Sequence, residues 1–156
     1  MQTRIVVDAQ SPEQATTAVL ERYAAFAELA ALPVSVRLET HLALDEIVSN
    51  IARHNGGGDD AATIEVQLVF EDDMLFVDVM DDGIPFDPLS ATVVMPRDPL
   101  DSPPGGFGIA LTRRFTEQLT YALEGRRNRL SFRKRVPYAR IRRLFSEAAR
   151  ERQSET

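Results

Sequence analysis

Cysteine is absent from the 156 residues. Disulfides, iron–sulfur ligation, thiolate zinc sites and a cysteine nucleophile are therefore excluded, and the composition suits a reducing compartment. Lysine is nearly absent as well. Lys134 is the only one and follows no glycine-rich turn, so the Gly-Lys-Ser/Thr loop of a P-loop nucleotide site is missing. No apolar run approaches the roughly 20 residues of a membrane span, and the opening MQTRIVVDAQ lacks the apolar segment of a secretory signal. A cytoplasmic protein that does not engage membranes is expected. The sequence also has no G-x-S-x-G elbow, no HExxH helix and no strand–GxGxxG–helix unit at its start, which disfavours hydrolytic and redox chemistry. A formal net charge of -6 argues against direct nucleic-acid binding.

The positive charge that is present crowds the C-terminal part: Arg126, Arg127, Arg129, Arg133, Lys134, Arg135, Arg140, Arg142 and Arg143. That run is either a solvated strand and helix face or a docking surface for an acidic partner. Along the chain, Arg4 to Val7 is a short β-prone run, and Ser11, Pro12 and Gln14 form a helix start that carries to the Leu32-Pro33 break. A second helix places Leu44, Ile47, Val48 and Ile51 at i, i+3, i+4 and i+7, with Gly56-Gly57-Gly58 as its stop. The period then changes to two: Ile64, Val66, Leu68 and Phe70, then Leu75, Val77 and Val79, predict an antiparallel hairpin broken at Glu71-Asp72-Asp73. From Asp81 to Gly106 the chain is rich in Pro, Gly and Asp, far longer than a usual connection of ~4–6 residues. A helix is predicted over Phe107 to Leu119, a second hairpin over Thr120 to Leu123 and Leu130 to Val136 around Gly125, and a final amphipathic helix after Pro137.

Three constellations carry chemistry. Glu46, Asn50 and His54 recur at i, i+4 and i+8, each step turning only about 40° around the second helix, so a carboxylate and a carboxamide border its apolar stripe. Such groups suit a proton acceptor and a magnesium ligand, although helix surfaces carry similar triplets routinely. Asp81-Asp82-Gly83-Ile84-Pro85-Phe86-Asp87-Pro88 stands where an apolar strand ends. Its first carboxylate can accept a hydrogen bond from an exocyclic amino group, or the segment simply reverses the chain. Gly105-Gly106-Phe107-Gly108-Ile109-Ala110-Leu111 runs glycines straight into an apolar helix, a phosphate cradle or a hinge. His41 and Asp45 form a two-ligand fragment with no third metal partner.

The order and spacing of these motifs resemble the GHKL ATPase superfamily. ALDEIVSNIARH is similar to its N-box, DDGIPFDP to its first glycine box and GGFGIAL to its second; with the intervening hairpin they cover most of the chain. The short format and the DDGIPFDP form resemble the bacterial anti-sigma regulatory kinases. Pro85 departs from the more widespread box, which has a second glycine there. The absence of a preceding helical hairpin with a phosphoacceptor histidine disfavours a detached histidine-kinase catalytic domain.

The resemblance implies an α+β fold: a two-layer α/β sandwich with a mixed, mostly antiparallel sheet and helices on one face. It implies a kinase domain over residues 1–137, followed by an amphipathic helix and tail over 138–156. Carried onto this sequence, it makes Glu46 the general base, Asn50 the Mg²⁺ ligand and Asp81 the adenine contact. Gly83 would permit nucleotide approach, Gly105, Gly106, Phe107 and Gly108 would edge the phosphates, and Pro88 to Pro104 would form an ATP lid. His54 matches a basic or histidine position ending the N-box, or it is a capping or packing residue. The implied activity is ATP- and Mg²⁺-dependent phosphorylation of serine or threonine on an anti-anti-sigma (STAS) protein, with a sigma factor and a second copy as further partners. The alternative is a non-catalytic module that ATP switches to grip a sigma factor or other regulator.

Overall fold

The sequence breaks into helices and strands largely where its caps and periods dictate. The computed structural model describes residues 1–55, 61–90 and 106–137. In chain order these form β1 (Gln2–Asp8), α1 (Pro12–Leu29), α2 (Val34–Asn55), β2 (Thr63–Glu71), β3 (Met74–Asp81), α3 (Gly106–Phe115), β4 (Glu117–Glu124) and β5 (Arg127–Arg135). Ser11 caps α1 by accepting from the Gln14 N–H, and Pro12 occupies its first turn. The helix closes with Ala31 in the left-handed region (φ 49°), its N–H donating to the Glu28 carbonyl and the Leu32 N–H to the Ala27 carbonyl. This is a Schellman closure with alanine where glycine is usual. Pro33 then starts the turn into α2. Tyr23 joins the two helices: its buried hydroxyl donates to the Arg37 carbonyl at 3.2 Å, and burial pushes its titration up to about 12.

The five strands run in the order β1-β2-β3-β5-β4, and each neighbouring pair is antiparallel. Period-two alternation sends one set of side chains inward. Ile5, Val66, Val79 and Leu130 stand in one cross-strand row, and Leu68, Val77 and Phe132 in the next; all seven are buried. They form one core with Val19, Tyr23 and Phe26 of α1 and Leu44, Ile47 and Val48 of α2, so the helices cover that face of the sheet. Asp72 and Asp73, both at positive φ, make the tight reversal between β2 and β3, and Gly125 (φ 65°) makes the one between β4 and β5.

The opposite face carries charge. Glu65 is buried there under the Arg4 guanidinium, which donates to both of its oxygens at 2.6 and 2.7 Å, with Arg127 at 3.2 Å and Gln67 at 3.0 Å. Arg129 similarly spans Asp78 and Glu124.

Two boundaries differ from the sequence reading. The helix predicted to reach Leu119 ends at Phe115, because the Thr116 hydroxyl and N–H both bond back to the Thr112 carbonyl and Gln118 then takes a positive φ (52°). Leu119 instead packs on the core from β4, which pairs with β5 through an irregular register between Glu117 and Thr120. The second strand of that hairpin begins at Arg127, three residues before Leu130. Gly56-Gly57-Gly58, most of the expected lid and the helix expected after Pro137 lie outside the described residues.

Glu65 gives this face a pH signature. Its arginine partners lower the carboxyl from an ordinary 4.5 to about 2, so its stabilisation is complete above pH 4.5 and fades as the pH falls toward 2. Glu65→Gln is expected to lose about 1–2 kcal/mol at pH 7, less than full linkage because the arginines face solvent. Denaturant melts of both proteins from pH 7 to pH 2 should show that difference shrinking; a pH-independent difference contradicts the ion-pair account.

Candidate functional site

The site is built where the C-terminal half of α2 meets the chain leaving β3. Glu46 and Asn50 are half-buried on α2, and the Asn50 Nδ2 donates to Glu46 Oε1 at 2.7 Å. Only the NH₂ end of the carboxamide can donate to a carboxylate, which fixes the amide orientation and leaves Asn50 Oδ1 outside this bond. An oxygen in that position is the donor type a hard cation such as Mg²⁺ takes, so this residue pair fits the metal. One turn further, His54 is exposed, its ring 5.9 Å from that of Phe86.

Asp81 is the last residue of β3 and is buried, facing inward like Val77 and Val79 before it. Its Oδ1 accepts from the Gly83 N–H at 3.0 Å and from Asn128 Nδ2 at 2.9 Å; neither bond uses Oδ2. Burial pushes this carboxyl above its ordinary value, while the bonds from Asn128 and Gly83 pull the other way and favour the ionised acceptor. Asn128, buried on β5 directly opposite Asp81, is fully committed. Its NH₂ donates to Asp81 and to the Ile84 carbonyl (3.1 Å), and its oxygen accepts from the Phe86 N–H (3.2 Å) and the Tyr121 hydroxyl (2.7 Å). Those four bonds exhaust a carboxamide. Flipping it would set oxygen against a carboxylate and a carbonyl, so the network allows one orientation.

The rest of the Asp-Asp-Gly-Ile-Pro-Phe turn is pinned from two more sides. Asp82 Oδ1 accepts from the Thr63 N–H at 2.7 Å, and Asn55 Oδ1, at the end of α2, accepts from the Ile84 N–H at 2.9 Å. Asn55 also donates to the Ile51 carbonyl. A Cβ on Gly83 would fall 2.3 Å from Asn55 Cγ, so the contact that demands a glycine at this position is the Asn55 side chain. Farther on, Asp87 caps its own turn through the Leu89 N–H, and Arg113 of α3 donates to the Leu89 carbonyl at 2.7 Å.

Gly106, Phe107 and Gly108 are the first three residues of α3, which lies beside α2. Their N–H groups belong to the helix start, where no intrahelical carbonyl precedes them. Gly105 and residues 91–104 of the expected lid lie outside the described residues. The structure thus joins Glu46 and Asn50 on one helix, and Asp81 and Gly83 in one turn that the end of that helix touches. Sequence reasoning missed Asn55, Asn128 and Tyr121. Asn128 carried a usable signal: it is the polar member of the inward set Asn128, Leu130 and Phe132, visible once β5 is started at Arg127.

The Gly83–Asn55 contact makes a double-mutant cycle decisive. Gly83→Ala is expected to cost about 2 kcal/mol by overpacking, and Asn55→Ala about 1–2 kcal/mol through lost hydrogen bonds. In the double variant the clash is gone, so the total should fall short of the sum by roughly 1 kcal/mol or more in denaturant melts. Additive losses would show that Asn55 is not what excludes a side chain at Gly83.

Comparison with known proteins bears on the whole arrangement. The histidine kinase AdeS of Acinetobacter baumannii matches in structure with a TM-score of 0.47 and 11% sequence identity, over 86% of this chain and 68% of that one. No curated protein matches. A family model described as the histidine kinase-like ATPase domain matches residues 9–134, a span that runs from the end of β1 into β5 and includes each site residue discussed above. The chain belongs to the histidine kinase-like ATPase domain family.

Proposed function

We propose that this ATPase-family domain is an anti-sigma-type protein kinase that transfers the γ-phosphoryl group of ATP to a serine or threonine of an anti-anti-sigma (STAS) partner. The observation that carries the reading is the Glu46–Asn50 pair, a carboxylate and a carboxamide locked together at 2.7 Å on α2. Asn50 does two things. Its NH₂ holds one oxygen of Glu46, and its Oδ1 would hold Mg²⁺, which when bound supplies neutralisation of the phosphate charge. Glu46 Oε2, outside the bond to Asn50, takes the proton of the incoming hydroxyl as its oxygen bonds to the γ-phosphorus. The bond from that phosphorus to the β,γ-bridging oxygen breaks, and ADP leaves with the electron pair.

Asp81 would accept the hydrogen bond of the adenine amino group, held in place by Asn128 and Gly83. The N–H groups of Gly106, Phe107 and Gly108, with Gly105, would edge the phosphates. Most of the acceleration would come from positioning, since a carboxylate is a weak base in water and needs its hydroxyl delivered in line. A sigma factor and a second copy of the chain complete the proposed partners. Among the described residues no helix is long and apolar enough to cross a membrane, and the cytoplasm is the proposed compartment.

The test is incubation with Mg·[γ-³²P]ATP and candidate anti-anti-sigma proteins, with Glu46→Gln alongside. Label is expected on a partner serine or threonine, and the variant should lose at least about 100-fold in transfer rate while keeping ATP affinity within about threefold. Equal labelling by the variant would remove Glu46 as the base. ATP binding without transfer to any partner would favour the nucleotide-switched binding module instead.

A further inference from the structure

The outer side of α2 carries exposed apolar residues that no other described element buries. Val34, Leu38 and Leu42 recur at i, i+4 and i+8 and are 79%, 57% and 39% exposed, and Leu29 at the end of α1 is 76% exposed. Single exposed apolar residues are ordinary, but a continuous row on one helix marks a surface that something covers. The row is flanked by exposed acids: Glu28 beside Leu29 and Asp45 one turn beyond Leu42.

The chain that follows β5 leaves the described fold close to this row. Val136 is buried and its N–H donates to the Asp73 carbonyl at 2.8 Å. Two residues earlier the Lys134 ammonium pairs with Glu39, which stands between Leu38 and Leu42 in α2, and also donates to the Phe115 carbonyl at 2.6 Å. Pro137, the last described residue here, thus lies three positions past a contact with the helix that carries the row. Their sequence offers Ile141, Leu144, Phe145 and Ala148 at i, i+3, i+4 and i+7, interleaved with Arg140, Arg142 and Arg143. As a helix, that apolar set would extend about 10 Å, against about 12 Å from Val34 to Leu42.

We propose that the Val34–Leu38–Leu42 row is the docking surface for the chain's own C-terminal segment, residues 138–156. Connection, length, apolar pattern and charge agree on this occupant: the segment follows a strand whose Lys134 reaches α2, would span the row as a helix, carries a matching apolar set, and would bring arginines to a surface edged by Glu28 and Asp45. The docked segment would also reach Leu42, one helical turn before Glu46 in the same row, and so border the candidate site. The inference stands independently of which group, if any, the site transfers.

The absence of native cysteine makes a direct test clean. A Leu38→Cys, Phe145→Cys variant of the full chain, oxidised at low micromolar concentration, is expected to form an intrachain disulfide: a monomer with no free thiol. Disulfides between chains would overturn the proposal in favour of a second copy, and persisting free thiols would overturn it outright. In a parallel experiment without cysteine, hydrogen exchange of peptides from 138–156 should be slowed at least about tenfold in the unmodified chain. That protection should vanish in Leu38→Ser, Leu42→Ser, while protection of β2 and β3 persists and certifies the fold. An unprotected segment in the unmodified chain, or protection that survives the substitutions, would contradict the docking.

Discussion

The bond from Asn128 to Asp81 sits where two strands distant in sequence are forced together. β3 and β5 pair antiparallel with Asp81 opposite Asn128, and that register is set below them by Val79 against Leu130 and Val77 against Phe132, all buried. A slip of β5 by one residue would send Leu130 and Phe132 to the charged face, so the core fixes the register and the register delivers the carboxamide to the carboxylate. From that point the turn follows: Asn128 takes the Ile84 carbonyl and the Phe86 N–H, Asp81 takes the Gly83 N–H, and Asn55 closes the contact with α2. The half of the site on α2 is thereby joined to the half on the sheet through short bonds rather than through a loop of arbitrary length.

Two buried carboxylates at the same end of the sheet show how the faces differ. Glu65 on β2 is taken well below its ordinary range by Arg4 and Arg127, whereas Asp81 is pushed up by burial among apolar groups. The difference is one of partners. Glu65 has cations and serves as a clasp across β1, β2 and β5; among the described residues the donors to Asp81 are the neutral Gly83 N–H and Asn128 amide, and both bonds fall on Oδ1. A carboxylate held by neutral donors in an apolar surround retains a strong appetite for another donor. That is the physical property an adenine amino group would meet.

Where local rules act alone, the sequence was legible. Ser11 and Pro12 start α1 as their chemistry requires, the Leu44-Ile47-Val48 stripe faces the core, and the alternation in β2 and β3 assigns the faces correctly. The adjacency of Glu46 and Asn50 also follows from helix geometry, and the structure closes it with a hydrogen bond. What escaped is non-local. Nothing near Asn128 in sequence announces that it faces Asp81, because strand order β3-β5-β4 is a tertiary outcome. The resemblance gives the glycine of the Asp-Asp-Gly turn a part in nucleotide approach; that a side chain there would also meet Asn55, 28 positions earlier on α2, is a tertiary contact no local pattern announces. The end of α3 was overrun because Leu119 continues an apolar pattern that serves β4 instead.

Asp81 is the residue on which the account of the site turns, and equilibrium titration of Mg·ATP into the wild-type chain and Asp81→Asn tests it most directly. Asparagine can keep accepting from Gly83 and Asn128 through its oxygen, so the turn should survive, but it would turn a donor toward the place proposed for the adenine amino group. Loss of a charged hydrogen bond predicts an affinity drop of about 10–100-fold with an unchanged melting temperature in the absence of nucleotide. Binding of equal strength by the variant, or no binding by the wild type, would contradict the account.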